Sequence, residues 1–95
     1  MKIKTIDINA KEWFDKVNGN SYFSSEIVIN YKLKKGWNFT CPFQYGYGEH
    51  YIDMSFKVIK DALKIKTDLR LWRYCEENDI ILRTNKQENC LKREL

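Results

Sequence analysis

The sequence predicts a small α+β domain, with a three- to four-stranded, largely antiparallel sheet and helices packed on one of its faces. Three observations carry this expectation. Between Ser21 and Leu33, Phe23, Ser25, Ile27, Ile29, Tyr31 and Leu33 alternate with Tyr22, Ser24, Glu26, Val28, Asn30 and Lys32. The first set is mostly apolar and the second mostly polar, as a strand with one buried face requires. Lys34-Lys35-Gly36 then reads as a turn, and Trp37, Phe39, Cys41 and Phe43 alternate with Asn38, Thr40 and Pro42 as the returning strand of a hairpin. From Tyr51 to Lys64 the period becomes helical: Ile52, Ser55, Phe56, Ile59, Ala62 and Leu63 share a stripe, and Asp53, Lys57, Lys60, Asp61 and Lys64 lie off it.

The remaining elements follow from local chemistry. Lys2 to Ile8 reads as a first strand with Ile6 and Ile8 on one face. Asn9 followed by Glu12 is a capping-box pattern, which predicts a short helix over Ala10 to Val17 that turns Trp13, Phe14 and Val17 to the core. Asn18-Gly19-Asn20 would end it, and a continued extended segment is the rival reading. Pro42 has no N–H to give a ladder and marks an edge or a strand end. Asp53 pairs with Lys57 at i,i+4. Thr67-Asp68 caps a second helix from Leu69 to Glu77, which buries Leu69, Trp72 and either Cys75 or Leu71. Ile80 to Thr84 is a closing strand, and residues 85–95 form a polar tail. The expected order is β, short α, β, β, α, α, β.

Composition narrows the class. Residues 1–95 suit one domain, with 43% hydrophobic and 15% aromatic residues for a single core. No apolar run approaches the roughly 20 residues of a membrane span. The charged, alternating start from Met1 to Asp7 is unlike a signal peptide, so a cytoplasmic protein is expected. Cys41, Cys75 and Cys90 are odd in number with no CxxC pair, which argues against a disulfide framework and against a zinc site. No cofactor and no metal are expected. The net charge of +4 permits nucleic-acid contact without demanding it.

The candidate site is the stretch from Pro42 to Tyr51, which holds the single proline, the single histidine and two of the four glycines. Tyr45, Tyr47 and Tyr51 are suited to present large, rigid rings to a partner. Equally, Gly46 and Gly48 permit positive φ at a strand-to-helix joint, with the tyrosines packed beside it. Gly46-Tyr47-Gly48 lacks the third glycine of a dinucleotide fingerprint and the Gly-Lys-Ser/Thr of a P-loop, and Glu49 would repel phosphate. Glu49, His50 and Asp53 form an acid/histidine cluster with no nucleophile or second histidine at a defined spacing, so no enzyme is expected. From Lys57 to Arg73 six basic residues, including Lys60, Lys64, Arg70 and Arg73, face Asp61 and Asp68. These either track a phosphate backbone or form a solvated helix face. Lys32, Lys34 and Lys35 are a second basic spot at the hairpin tip.

Trp13-Phe14-Asp15-Lys16-Val17-Asn18-Gly19-Asn20-Ser21-Tyr22 and Pro42-Phe43-Gln44-Tyr45-Gly46-Tyr47-Gly48-Glu49-His50-Tyr51 resemble motifs of a family of short bacteriophage and prophage proteins. Trp72-Arg73-Tyr74-Cys75 and Cys90-Leu91-Lys92-Arg93-Glu94-Leu95 extend the resemblance over nearly the whole chain. It implies no catalytic residues. It implies an accessory protein that binds a host protein or nucleoprotein in the host cytoplasm, counter-defence inhibitors of CRISPR nucleases included. Tyr45, Tyr47, His50 and Tyr51 would anchor such a partner, with Lys60, Lys64, Arg70 and Arg73 supplying charge. The alternatives are a direct nucleic-acid binder, a sponge for a small signalling nucleotide, and a hydrolase built on Glu49, His50 and Asp53.

Overall fold

The computed structural model describes residues 3–95. Lys2, placed above in the first strand, lies outside the described residues. Strand β1 (Thr5–Asp15) pairs antiparallel with β2 (Asn20–Ile29), and β2 with β3 (Trp37–Tyr45). Helices α1 (His50–Leu63) and α2 (Leu71–Glu77) follow, and β4 (Ile81–Gln87) returns parallel to β1. The sheet order is β3-β2-β1-β4, mixed but mostly antiparallel, with both helices on one face. Among the described residues no helix is long and apolar enough to cross a membrane.

The helix expected over Ala10 to Val17 is a strand. Ten residues of β1 pair with β2, from Ile6 opposite Ile29 to Asp15 opposite Asn20. The partner strand offers a full ladder, and that outweighs the local capping pattern. Asn18-Gly19, read as a helix stop, is instead a hairpin tip. The Asp15 carboxylate accepts hydrogen bonds from the Val17 and Asn18 backbone N–H (3.0 and 3.3 Å) and the Asn18 amide (2.8 Å). Those bonds, with the Asn18 amide bond first, hold the Asp15 carboxyl below its usual range.

β2 stops at Ile29, four residues before the expected end. Asn30 takes φ 56°, its side-chain oxygen accepts from the Lys4 and Thr5 N–H (2.6 and 3.2 Å), and its amide donates to the Lys35 carbonyl (3.0 Å). This buried corner ties the 30–36 turn to the start of β1, and Tyr31 and Leu33 are left exposed. At the other end the tail is not structureless. β4 continues to Gln87, the Cys90 N–H donates to the Glu12 carbonyl (2.9 Å), Cys90 is buried, and residues 92–94 form a 3-10 turn.

Ile6, Ile8, Ala10, Phe23, Ile27 and Ile29 line the covered face and meet Tyr51, Phe56 and Ile59 of α1 and Leu71 and Cys75 of α2. Each such large side chain contributes roughly 1.5–3 kcal/mol on burial. A small buried polar cluster pins helix to sheet: Ser25 Oγ and Ser55 Oγ lie 2.6 Å apart, with the Cys41 thiol hydrogen-bonded to both. α2 begins at Leu71, later than expected, and turns Leu71 and Cys75 inward. Trp72, expected in the core, is 57% exposed. Asp53 is bonded to Arg70 rather than Lys57.

Candidate functional site

The face of the sheet opposite the helices carries the odd residues of β1 and the even residues of β2. Trp13 and Tyr22 are cross-strand neighbours there, with ring centroids 5.5 Å apart. A register shift between Phe23 and Ser25 puts Pro42 and Phe43 together opposite Ser24. Such a bulge turns the next side chains to the other face. Phe43, expected on the core side with Cys41, therefore stacks on Tyr22 at 5.2 Å and 9°. Tyr45 meets Tyr22 edge-on at 5.8 Å, and Tyr47 meets Tyr45 edge-on at 6.3 Å. Five rings thus run unbroken from Trp13 to Tyr47 at one end of the sheet, and Lys92 Nζ lies 5.3 Å from the Trp13 ring.

The glycines shape the end of this run in different ways. Gly48 has φ 63°, as expected for a joint. Gly46 does not need positive φ; it needs the absence of a Cβ, which would sit 2.6 Å from His50 Cδ2 and 2.7 Å from Phe23 Cε1. That close approach lets the His50 ring lean edge-on toward Phe23, 6.0 Å between centroids. A hollow of about 320 Å³ opens between Tyr45, Gly46, Tyr47 and His50.

The structure separates the residues that the sequence reading grouped. Tyr45 and Tyr47 are 55% and 67% exposed, and His50 is exposed beside them. Tyr51 is a correction: as the second residue of α1 it points to the core and is 6% exposed, so it offers no ring to a partner. Lys60 and Lys64 lie at the far end of α1, a helix about 20 Å long at 1.5 Å per residue. Lys60 Nζ rests over the Phe56 ring at 4.9 Å. Arg70 Nη2 donates to both carboxylate oxygens of Asp53 (2.9 and 3.2 Å), and Arg73 sits 3.7 and 3.6 Å from Glu76 and Glu77. Lys60 and Lys64 therefore do not flank the tyrosines, whereas Arg70 is held against the first turn of α1 through Asp53.

Among the described residues no hydrogen bond or ion pair joins Glu49, His50 and Asp53, and no group of three His, Cys, Asp or Glu side chains is placed to hold a metal ion. Cys41 and Cys75 are buried, which pushes both thiols up, Cys75 to about 11; for Cys41, hydrogen bonding with Ser25 and Ser55 opposes part of the rise. Neither is poised as a nucleophile at neutral pH.

Trp13, Tyr22 and Phe43 are the site residues that sequence reasoning missed. Continuing the alternation of β1 past Asn9 places Trp13 opposite Tyr22 on the polar face, and that signal was present. The bulge that adds Phe43 has only Pro42 as its mark.

Comparison of the chain with family models, with curated proteins and with solved structures returns no match.

Proposed function

We propose that this is a non-enzymatic binding protein whose contact surface is the aromatic end of the open sheet face, and that its partner is a protein. The observation that carries the reading is the connected ring cluster in which Tyr22 meets Trp13, Phe43 and Tyr45 and Tyr45 meets Tyr47, with Phe43, Tyr45 and Tyr47 42–67% exposed. Exposed apolar side chains scattered singly need no explanation, but a contiguous rigid group does. Tyr and Trp dominate binding hot spots because they bury large areas at little cost in side-chain entropy. The rings are held before any partner arrives: Trp13, Tyr22 and Phe43 by mutual stacking, Tyr45 and Tyr47 by edge contacts. A partner side chain of apolar character fits the hollow beside His50.

The resemblance to short phage proteins makes a host factor the first partner to test, a CRISPR nuclease complex among them, in the host cytoplasm. The test is capture of partners from host lysate by the intact protein, by Tyr45→Ala/Tyr47→Ala, and by Trp72→Ala, an exposed ring on the helical side. Loss of a captured partner in the double variant but not in Trp72→Ala supports the reading. Equal capture by all three removes it.

A further inference from the structure

The fold gathers two lysine clusters, distant in sequence, at the pole opposite the aromatic end. Ser25 contacts Ser55 and Phe23 contacts His50, so α1 runs alongside β2 in the same direction. From Ser25 to Ile29 a strand advances about 13 Å, and from Ser55 to Lys64 a helix rises about 13 Å. The end of α1 is therefore level with the 30–36 turn. The turn carries Lys32, Lys34 and Lys35, all exposed, and the Asn30 side chain binds the backbone of both Lys35 and Lys4. Lys60, Lys64 and Lys66 stand at the end of α1.

None of these seven lysines takes part in an ion pair among the described residues, although Lys32 Nζ lies 5.4 Å from the Tyr31 ring and Lys60 Nζ 4.9 Å from the Phe56 ring; the lysine that does is Lys86, near the aromatic end. The carboxylates nearby are few. Asp61 lies on the last turns of α1, Asp68 is two residues after Lys66 and exposed, and Asp79 is two residues before Ile81, whose N–H donates to the Lys4 carbonyl (3.0 Å). Asp7 is bonded to Arg83 (2.6 and 2.9 Å), and Glu76 and Glu77 face Arg73. Beside the turn is a hollow of about 550 Å³ whose walls include Tyr31, Leu33 and Trp37, with Glu26 at its edge accepting a hydrogen bond from Thr40. Tyr31 is 53% exposed.

We propose that this pole binds the sugar-phosphate chain of a single-stranded nucleic acid. Lys32, Lys34 and Lys35 on one side and Lys60, Lys64 and Lys66 on the other contact phosphates, and Tyr31 offers a ring for base stacking. The charges sit on two separate elements, which fits a flexible chain laid between them better than the plane of a bilayer. The proposal is independent of the reading of the aromatic end. If both hold, the protein bridges a protein and its nucleic acid.

The test is fluorescence anisotropy of a labelled single-stranded oligonucleotide across a salt series, with three variant sets that each remove three positive charges. Two strip the pole: Lys32→Gln/Lys34→Gln/Lys35→Gln and Lys60→Gln/Lys64→Gln/Lys66→Gln. The third, Lys11→Gln/Lys16→Gln/Arg93→Gln, strips the aromatic end. Six phosphate contacts give a slope of log K against log salt of about −4 for a single strand. Each pole set weakens binding about tenfold or more and flattens that slope by about 1–2, while the third set changes affinity less than about twofold. Melting curves identify any set that has lost its fold, and the two pole sets are independent of one another. No binding at low salt overturns the proposal, as does equal weakening by all three sets. So does lysine-dependent binding to phosphatidylserine vesicles without binding to the oligonucleotide.

Discussion

Lys86 Nζ lies 3.0 Å from the carbonyl oxygen of Gly48, so the end of β4 fastens the loop that follows the exposed tyrosines. The same ammonium is 2.9 Å from Glu12 Oε2 and 3.6 Å from Glu88, and 5.8 Å from the Tyr51 ring. Both Lys86 and Glu12 keep only about 15% of their side-chain surface exposed. A lysine read as part of a polar tail is thus the tie between both edges of the domain and its aromatic end.

Replacing Lys86 by Met leaves Glu12 without its cation and Gly48 without its donor. The expected loss of stability is about 1–2 kcal/mol, between the values for exposed and fully buried pairs. Amide exchange should accelerate first in residues 46–50. Acceleration spread evenly over the whole sheet would argue against a local tie.

Ser25 and Ser55 give a second expectation. Ser55→Ala removes the 2.6 Å partner of the buried Ser25 hydroxyl, which keeps only the weaker Cys41 thiol, and costs about 1 kcal/mol. Ser25→Ala/Ser55→Ala removes both groups and should be no worse than either single change. Chemical denaturation of the three variants measures this coupling.

Gly46→Ala and Gly48→Ala should differ in kind. At Gly46 the new methyl meets the buried Phe23 ring and the His50 ring, so core packing is disturbed and stability falls by about 1–3 kcal/mol. At Gly48 nothing lies within 4 Å, and the cost is the left-handed backbone alone, about 1–2 kcal/mol. A Phe23→Leu background should relieve the first and leave the second unchanged.

Burial of Cys75 raises its thiol from 9.0 to about 11, so the folded state holds a proton that the unfolded chain releases. Its contribution is complete below pH 9 and declines as the pH rises through about 11. Lys86 acts in the same sense. Burial lowers its affinity for a proton, but Glu12 and Glu88 together more than offset this and raise it above 10.5, so its contribution too is lost in alkali. Stability should therefore fall with rising pH above about 9. A thiol reagent should label Cys41 and Cys75 only at the rate of unfolding, and Cys90 sooner, since its segment is held through few contacts.

The fold was legible in the sequence where side-chain period and partner strand agree. Ile27 and Ile29 in β2 and Phe56 and Ile59 in α1 sit where the periodicity puts them. It was misread where a local motif competed with a distant ladder. Asn9 and Glu12 have capping chemistry, yet β1 offers ten paired residues to β2. The early end of β2 depends on the Asn30 amide meeting Lys4 and Lys35, contacts that no sequence pattern reports.

The candidate site was half legible. Tyr45 and Tyr47 stood out through their glycine neighbours, and both are exposed. Tyr51 shares their chemistry but sits one residue inside a helix whose apolar stripe claims it. Trp13, Tyr22 and Phe43 join them only through a hairpin and a bulge. Arg70 and Arg73 kept their charge but found carboxylates on their own helical layer.

The central claim is that the aromatic end meets the partner, and site-specific photo-crosslinking in host cells tests it most directly. A benzophenone side chain in place of Tyr47 should give a discrete covalent product with a host protein. The same group in place of Trp72, also more than half exposed but on the helical side, should give none. A product from position 72 with none from position 47 would contradict the account.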